Sequence, residues 1–195
     1  MLILAFCVLA LLSPLIVGRW PSGLLLRRWR WPVLVWGALA IQIVIIEFGA
    51  PAGWAPVLHV STYLLAIGFV WLNRRVAGVL VVGAGAFLNG FTIAINGGVL
   101  PARAAAVEAA GIDADHAFVN AGVVEDPLLP WLGDWYAWPE PLPLANTFSI
   151  GDVLIVVGVA IAAWSGAARI GRSRAEATSE SGEPAAVEPG EASRP

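Results

Sequence analysis

The sequence has no lysine, a single cysteine and only two histidines among its 195 residues. The lone Cys7 cannot form an intramolecular disulfide, which excludes a disulfide scaffold and a CxxC redox motif. His59 and His116 lack HExxH spacing, so no metal site is predicted. GxSxG, P-loop and GxGxxG motifs are also missing, and we therefore expect no cofactor.

Charged residues are equally scarce, at 13% of the chain against 58% hydrophobic residues. A soluble globular protein usually carries about a quarter charged residues. The net charge of −3 is unlike the strongly basic character of nucleic-acid-binding domains. Ten tryptophans and 21 glycines fit membrane-embedded helices and their interfaces. The composition predicts a membrane protein whose partners are membrane lipids and an unidentified membrane protein, not nucleic acid.

Five apolar segments are each about as long as a helix needs to cross the ~30 Å hydrocarbon layer. The first lacks the basic stretch and the A-x-A site of a secretory signal, so we expect it to be retained. The fold class predicted is an all-α membrane protein with five transmembrane helices over residues 1–172. A tail over residues 173–195, rich in Glu, Ser, Ala and Pro, is expected to be disordered and cytoplasmic. The predicted helices are 2–17, 32–49, 56–72, 77–95 and 150–165.

The arginines predict the orientation of these helices. With the N-terminus outside, ten of the 11 arginines face the cytoplasm and Arg103 alone lies outside. This is the positive-inside pattern, and it indicates the bacterial inner membrane with an external N-terminus and a cytoplasmic C-terminus. The segment from Trp20 to Trp31 combines arginine, tryptophan and leucine, a composition that predicts a short element at the level of the lipid headgroups. Residues 97–149 between the fourth and fifth helices then form an external cap, because so long a connection is more often functional than structureless.

Polar side chains inside apolar helices point to function because each is costly in lipid. The topology brings several of them to one depth beneath the cap. Asn89 shares a helix face with Asn96, since Gly85, Asn89, Thr92 and Asn96 are spaced by four, three and four residues. We therefore predict a polar pocket on the outer face formed by Glu47, His59, Asn89, Asn96, Asp134 and Asp152.

Two further interpretations of these residues stay open. Ser149 and Asp152 have the spacing of a helix capping box, and Asn89 suits hydrogen bonding between helices. Asp134 and Asp152 also qualify as a carboxylate pair able to share a proton if the fold brings them together.

Several motifs between Leu58 and Gly158 resemble, in order and spacing, a bacterial membrane family of unknown function, DUF5317. This chain has Leu100 where the family usually has the methionine of NGGxMP. The resemblance implies a small multi-span protein of the bacterial cell membrane and supplies no activity. The matching motifs are Leu58-His59 with Ser61 and Tyr63, Asn73-Arg74-Arg75, Leu88-Asn89, Asn96-Gly97-Gly98-Val99-Leu100-Pro101, Leu132-Gly133-Asp134 and Asn146-Thr147-Phe148-Ser149-Ile150-Gly151-Asp152.

A second resemblance is confined to residues 146–158, which are similar to the FNxADxxIxxG motif of lipoprotein signal peptidase, an aspartyl intramembrane enzyme. It implies a catalytic role for Asp152. The stretch nearest to that family's GNxxDR motif, residues 88–93, has no carboxylate, which leaves Asp134 as the second aspartate. The sequence favours a non-enzymatic membrane binding or scaffold module, with an aspartate-dependent intramembrane hydrolase as the alternative.

Overall fold

The computed structural model describes residues 1–48, 54–112, 121–122 and 124–169. Within the described residues, a helix lies in each of the five apolar segments. The tail over 173–195 and His116 lie outside the described residues. The long helices are α1 (Leu2–Leu12), α3 (Val33–Phe48), α4 (Ala55–Leu72), α5 (Val79–Ile95) and α7 (Ile150–Ser165). Two short helices are α2 (Ser22–Leu25) and α6 (Ala104–Ala109).

The first helix is shorter than predicted. It is α-helical only to Leu12 and continues as a 3-10 helix over Ser13–Val17. Pro14 explains the change, because proline has no N–H for the α-helical hydrogen-bond ladder and its ring crowds the preceding turn. The 3-10 helix ends at Gly18, whose φ of 67° lies in the left-handed region that glycine tolerates.

The long helices pack side by side in the order α3, α4, α5, α7, α1. Leu34 and Gln42 of α3 lie near Gly68 and Thr62 of α4, respectively, so α3 and α4 run antiparallel. Tyr63 and Val70 of α4 lie at Gly90 and Gly83 of α5, respectively, so α4 and α5 are antiparallel as well. The last helix, α7, runs antiparallel to α5 but parallel to α1. We call the end at which α1, α4 and α7 begin the cap end.

The opposite end is the basic end, defined by the described arginines that gather there. Segment 19–31 folds onto it: the backbone N–H of Gly23 donates to the Gly166 oxygen at 2.8 Å, and the Asn73 side chain bonds the Arg30 backbone in both directions at 3.0 Å. Arg103 is the one described arginine at the cap end. The arginines of the basic end are Arg19, Arg27, Arg28, Arg30, Arg74, Arg75 and Arg169.

Glycines allow α5 and α7 to approach closely. A Cβ atom on Gly85 would overlap the carbonyl oxygen of Gly151, and one on Gly158 would lie 2.6 Å from the Val82 nitrogen. Backbone therefore packs on backbone along this interface, in the manner of small-residue helix pairs.

In the described ranges, three two-stranded sheets accompany the helices, and none of them is predicted from the sequence because two or three residues are too few to show alternation. In the cap, β2 (Leu100–Pro101) pairs in parallel with β3 (Ala121–Gly122), and β4 (Tyr136–Trp138) pairs antiparallel with β5 (Asn146–Phe148). At the basic end, β1 (Arg19–Trp20) pairs antiparallel with β6 (Ala168–Arg169).

Large apolar side chains cover the outward faces of the long helices. Their exposed members include Leu9 of α1, Trp36 and Ile43 of α3, Leu64 of α4, Leu80 and Phe87 of α5 and Val157 of α7. Within the described part of the chain, no helix is both long enough and apolar enough for a membrane crossing.

Candidate functional site

A closed hydrogen-bond network joins α5 to the first turn of α7 at the cap end. Ser149 Oγ accepts from the Asp152 backbone N–H at 3.0 Å, and Asp152 Oδ2 accepts from the Ser149 backbone N–H at 2.9 Å. The capping box indicated by the sequence is thus present. Asn89 of α5 closes the network, donating from Nδ2 to Asp152 Oδ1 and accepting at Oδ1 from Ser149 Oγ, both at 2.9 Å.

Small residues make room for this network in the helix interface. A Cβ atom on Gly151 would overlap Oδ1 of Asn89, so the amide fits only against glycine. Asn89 is 4% exposed and Ser149 fully buried, and each has its polar atoms paired. Burial of these polar groups is therefore compensated by hydrogen bonds, as a packed interior requires.

Asn96 fastens the cap to the end of α5. Its Oδ1 accepts from the backbone N–H of Leu128 at 2.8 Å, and its Nδ2 donates to the Leu128 carbonyl at 3.0 Å. The amide thus binds both backbone groups of one residue, as a neighbouring strand would. Asn96 takes no part in the Asp152 network.

Asp134 is a second organising carboxylate, within the cap. It is 7% exposed, and its Oδ2 accepts from Thr147 Oγ1 at 3.0 Å. Its backbone N–H donates to the Pro101 carbonyl at 2.8 Å, so the residue joins the start of the cap to β5. Burial and, to a smaller extent, the negative charge of Asp152 raise the pKa of this carboxyl to about 6, against the opposing effect of the Thr147 hydrogen bond.

The four residues of the predicted pocket whose side chains are described therefore have different surroundings. Asn89 and Asp152 are in direct contact, whereas Asn96 and Asp134 have separate partners in the cap. The side chains of Glu47 and His59 lie outside the described residues. Over the described ranges, no three His, Cys, Asp or Glu residues cluster in a way that suits a metal ion.

An apolar pocket of about 220 Å³ lies between α1 and α7 beneath the β4–β5 pair. Trp138 of β4 packs edge-on against Phe6 of α1, with ring centroids 5.3 Å apart, and its Nε1 donates to the Pro143 carbonyl at 3.0 Å. Asp152 is the one charged residue in the described lining. The pocket is lined by Leu2, Ile3, Phe6, Trp138, Phe148, Asp152, Val153, Val156 and Val157.

The aromatic wall and Thr147 are site residues that the sequence reasoning missed. Phe6, Trp138 and Phe148 come from distant segments, and no local pattern indicates that they meet. The position of Thr147 could have been predicted from the sequence, because it is two residues before the helix cap at Ser149. In an extended strand, residues two apart point to the same side, so Thr147 and Ser149 share one face.

Comparison with known proteins places this site in a family without an assigned activity. A protein of Thermotoga maritima described as uncharacterized is 33% identical over 111 residues, which make up 55% of this chain and 63% of that relative. The chain thus spans less than two thirds of the length of that relative. No solved structure matches the chain. Because residues 28–164 match the family of unknown function DUF5317, the chain belongs to that family.

Proposed function

We propose that the chain is an integral protein of the bacterial inner membrane that binds an amphiphile in the pocket between α1 and α7, without catalysing a reaction. The observation that carries this proposal is the pocket itself, which is apolar except for one carboxylate. Binding sites for small ligands are usually lined mostly by apolar side chains, with a few polar groups at defined positions.

The distribution of residues on the surface supports a membrane location. Exposed apolar side chains cover the helices between the two ends, and large continuous apolar patches are rare on soluble monomers. Tryptophans flank this zone as in the aromatic belts of membrane proteins. They are Trp20, Trp29, Trp31, Trp36, Trp71 and Trp164 towards the basic end and Trp54, Trp131, Trp135 and Trp138 towards the cap end.

The arginines support an orientation in that membrane, with the basic end in the cytoplasm and the cap outside. Helices of 16 to 18 residues, such as α3 and α4, rise about 24–27 Å. This is a few ångström less than the hydrocarbon thickness, a mismatch that a locally thinner bilayer accommodates at modest cost.

The pocket chemistry defines the class of ligand. Each oxygen of Asp152 already accepts one hydrogen bond, from Asn89 or from the Ser149 backbone, and retains a second lone pair. A ligand group facing it must therefore donate, as a hydroxyl or ammonium group does, whereas an anionic head would be repelled. Valines and aromatic rings along the rest of the pocket suit a single apolar chain.

The hydrolase is the alternative function, and one observation favours it: the negative charge of Asp152 helps to raise the pKa of Asp134. The hydrogen bonds favour binding instead. Asp134 bonds Thr147, and Asp152 bonds Ser149 and Asn89, so each carboxylate has its own structural partners. An aspartyl dyad requires the two carboxylates to hold a proton between them.

The test is to purify the full-length chain from its membrane in a mild detergent and identify copurifying amphiphiles by mass spectrometry. Val157 is 44% exposed and lines the pocket, whereas Leu80 is 55% exposed on α5 and does not. We expect Val157→Trp to reduce the bound amphiphile several-fold and Leu80→Trp, the matched control, to leave it unchanged. An equal amount in all three proteins would contradict the proposed pocket.

The same extracts separate binding from hydrolysis. In a binding protein, Asp152→Asn copurifies with the same compounds as the unmodified chain, in smaller amounts. A larger, uncleaved compound found only with Asp152→Asn would instead establish the hydrolase.

A further inference from the structure

A second pocket, of about 490 Å³, opens at the basic end, on the opposite side of the helix array from the cap. It is formed where the chain leaves the 3-10 helix through Gly18 and where it leaves α7 into β6. Its described lining is Val17, Gly18, Arg19, Trp164 and Arg169. The pocket therefore combines two guanidinium groups with an indole ring, and none of these described lining residues is acidic.

The two arginines face each other by strand register. Arg19 of β1 is directly opposite Arg169 of β6 in the antiparallel pair, which puts both side chains on one face of the ladder. Like charges directly opposite one another destabilise a strand pair. In the described part of the chain, neither side chain has a hydrogen-bond acceptor or a carboxylate partner.

Trp164 is held in place as the wall between these arginines and the helices. Its Nε1 donates to Ser13 Oγ at 2.8 Å, and Ser13 Oγ donates in turn to the Ala10 carbonyl at 2.8 Å. The indole is thereby fixed before any ligand arrives, so this wall of the pocket does not have to be ordered on binding.

We infer that this pocket is a phosphate-binding site in which Arg19 and Arg169 hold one phosphate group between them. Guanidinium groups bind phosphate oxygens through paired, charge-assisted hydrogen bonds, and a dianion or a diester bridging the two arginines removes their mutual repulsion. The phosphate belongs either to a membrane lipid headgroup or to a soluble phosphate compound. Exposed Val17 and Trp164 beside the arginines suit the headgroup level of a bilayer, which favours the lipid as the source.

The experiment measures thermal unfolding of the full-length chain in a nonionic detergent while inorganic phosphate is titrated at constant ionic strength. We expect phosphate to raise the melting temperature of the unmodified chain. Arg19→Gln and Arg169→Gln should each weaken the apparent affinity by about tenfold or more. Without phosphate, the Arg19→Gln chain should melt at or above the temperature of the unmodified chain, because the repulsion between the arginines is gone.

Arg28→Gln is the matched control, since Arg28 is an exposed arginine of the basic end that does not line the pocket. It should leave the phosphate response unchanged. A response retained in the Arg19→Gln, Arg169→Gln double variant, or lost equally in Arg28→Gln, would overturn the site.

A second arm identifies the source of the phosphate. The chain is placed in nanodiscs of phosphatidylglycerol mixed with a neutral glycolipid or in nanodiscs of the glycolipid alone, and lipid retained after detergent exchange is counted. Retention of phosphatidylglycerol that depends on Arg19 and Arg169 assigns a lipid phosphate. A response to inorganic phosphate without such retention assigns a soluble one, and the failure of both probes would refute the inference.

Discussion

Asn89 and Asp152, 63 residues apart in the sequence, are joined by a 2.9 Å hydrogen bond across the interface of α5 and α7. The bond ties the middle of one helix to the capped beginning of another. It also explains why Asp152 faces the apolar pocket in a fixed position, because Asn89 and the Ser149 backbone hold one carboxylate oxygen each.

Asn89→Leu should destabilise the chain by about 1–3 kcal/mol, because Asp152 and Ser149 each lose a buried hydrogen-bond partner. The measurement is chemical unfolding followed by circular dichroism. Phe87→Leu, at an exposed position of the same helix, is the control and should change stability by less than about 0.5 kcal/mol. Equal effects of the two substitutions would mean that the network contributes no stability.

Gly85→Ala should lower the melting temperature by several degrees, since its methyl group would meet the backbone carbonyl of Gly151. Gly37→Ala is the matched helical control, because a Cβ atom there meets nothing within 4 Å. Alanine is the better helix former by about 1 kcal/mol, so Gly37→Ala should be neutral or stabilising. If Gly85→Ala were equally harmless, α5 and α7 would not be in backbone contact.

Asp134 should make stability depend on pH between about 4 and 6. Its folded-state pKa, about 6, lies above the ordinary 3.8, so the folded chain binds the proton more tightly than the unfolded chain. The resulting stability is complete below about pH 4 and is lost as the pH rises through about 6, a change of roughly 2–3 kcal/mol.

Asp134→Asn removes the titrating group and should flatten this pH dependence, as measured by unfolding at a series of pH values. Asp152→Asn keeps the group but removes a neighbouring negative charge, and it should shift the transition to lower pH. Unfolding that varies with pH in Asp134→Asn as it does in the unmodified chain would assign the dependence to another residue.

The proposed orientation predicts which positions an impermeant maleimide labels on intact cells. In a Cys7→Ala background, Trp131→Cys in the exposed part of the cap should react, and Arg28→Cys at the basic end should react only after the cells are opened. A reporter fused after Pro195 should be active only in the cytoplasm. Labelling of position 28 on intact cells would reverse the orientation.

The sequence predicted the helices better than the cap. The apolar runs end at glycine, proline or Asn-Arg signals, and such boundaries can be read locally: α4 ends at Leu72, and α5 at Ile95, as predicted. The pairing of β4 with β5 and the bond from Thr147 to Asp134 depend on contacts between distant residues, which no short pattern encodes.

In the candidate site, too, the local features could be predicted and the contacts between distant segments could not. Ser149 and Asp152 are three residues apart, so their capping box is a local feature, and the Asn89 stripe follows from helical periodicity. The apolar pocket, by contrast, takes its walls from three separate segments, and no local sequence pattern predicts that they meet.

The position of α7 in the helix row also has a consequence for how the protein is made. Among the helices of the described residues it is the last long one to be synthesised, yet it lies between α5 and α1. During translation, α1 therefore has no α7 to pack against until nearly 165 residues have been translated. The pocket beneath the cap cannot exist in any nascent chain that lacks α7, so ligand loading must follow the synthesis of α7, and translation products truncated before this helix should be captured by quality control with α1 unpaired.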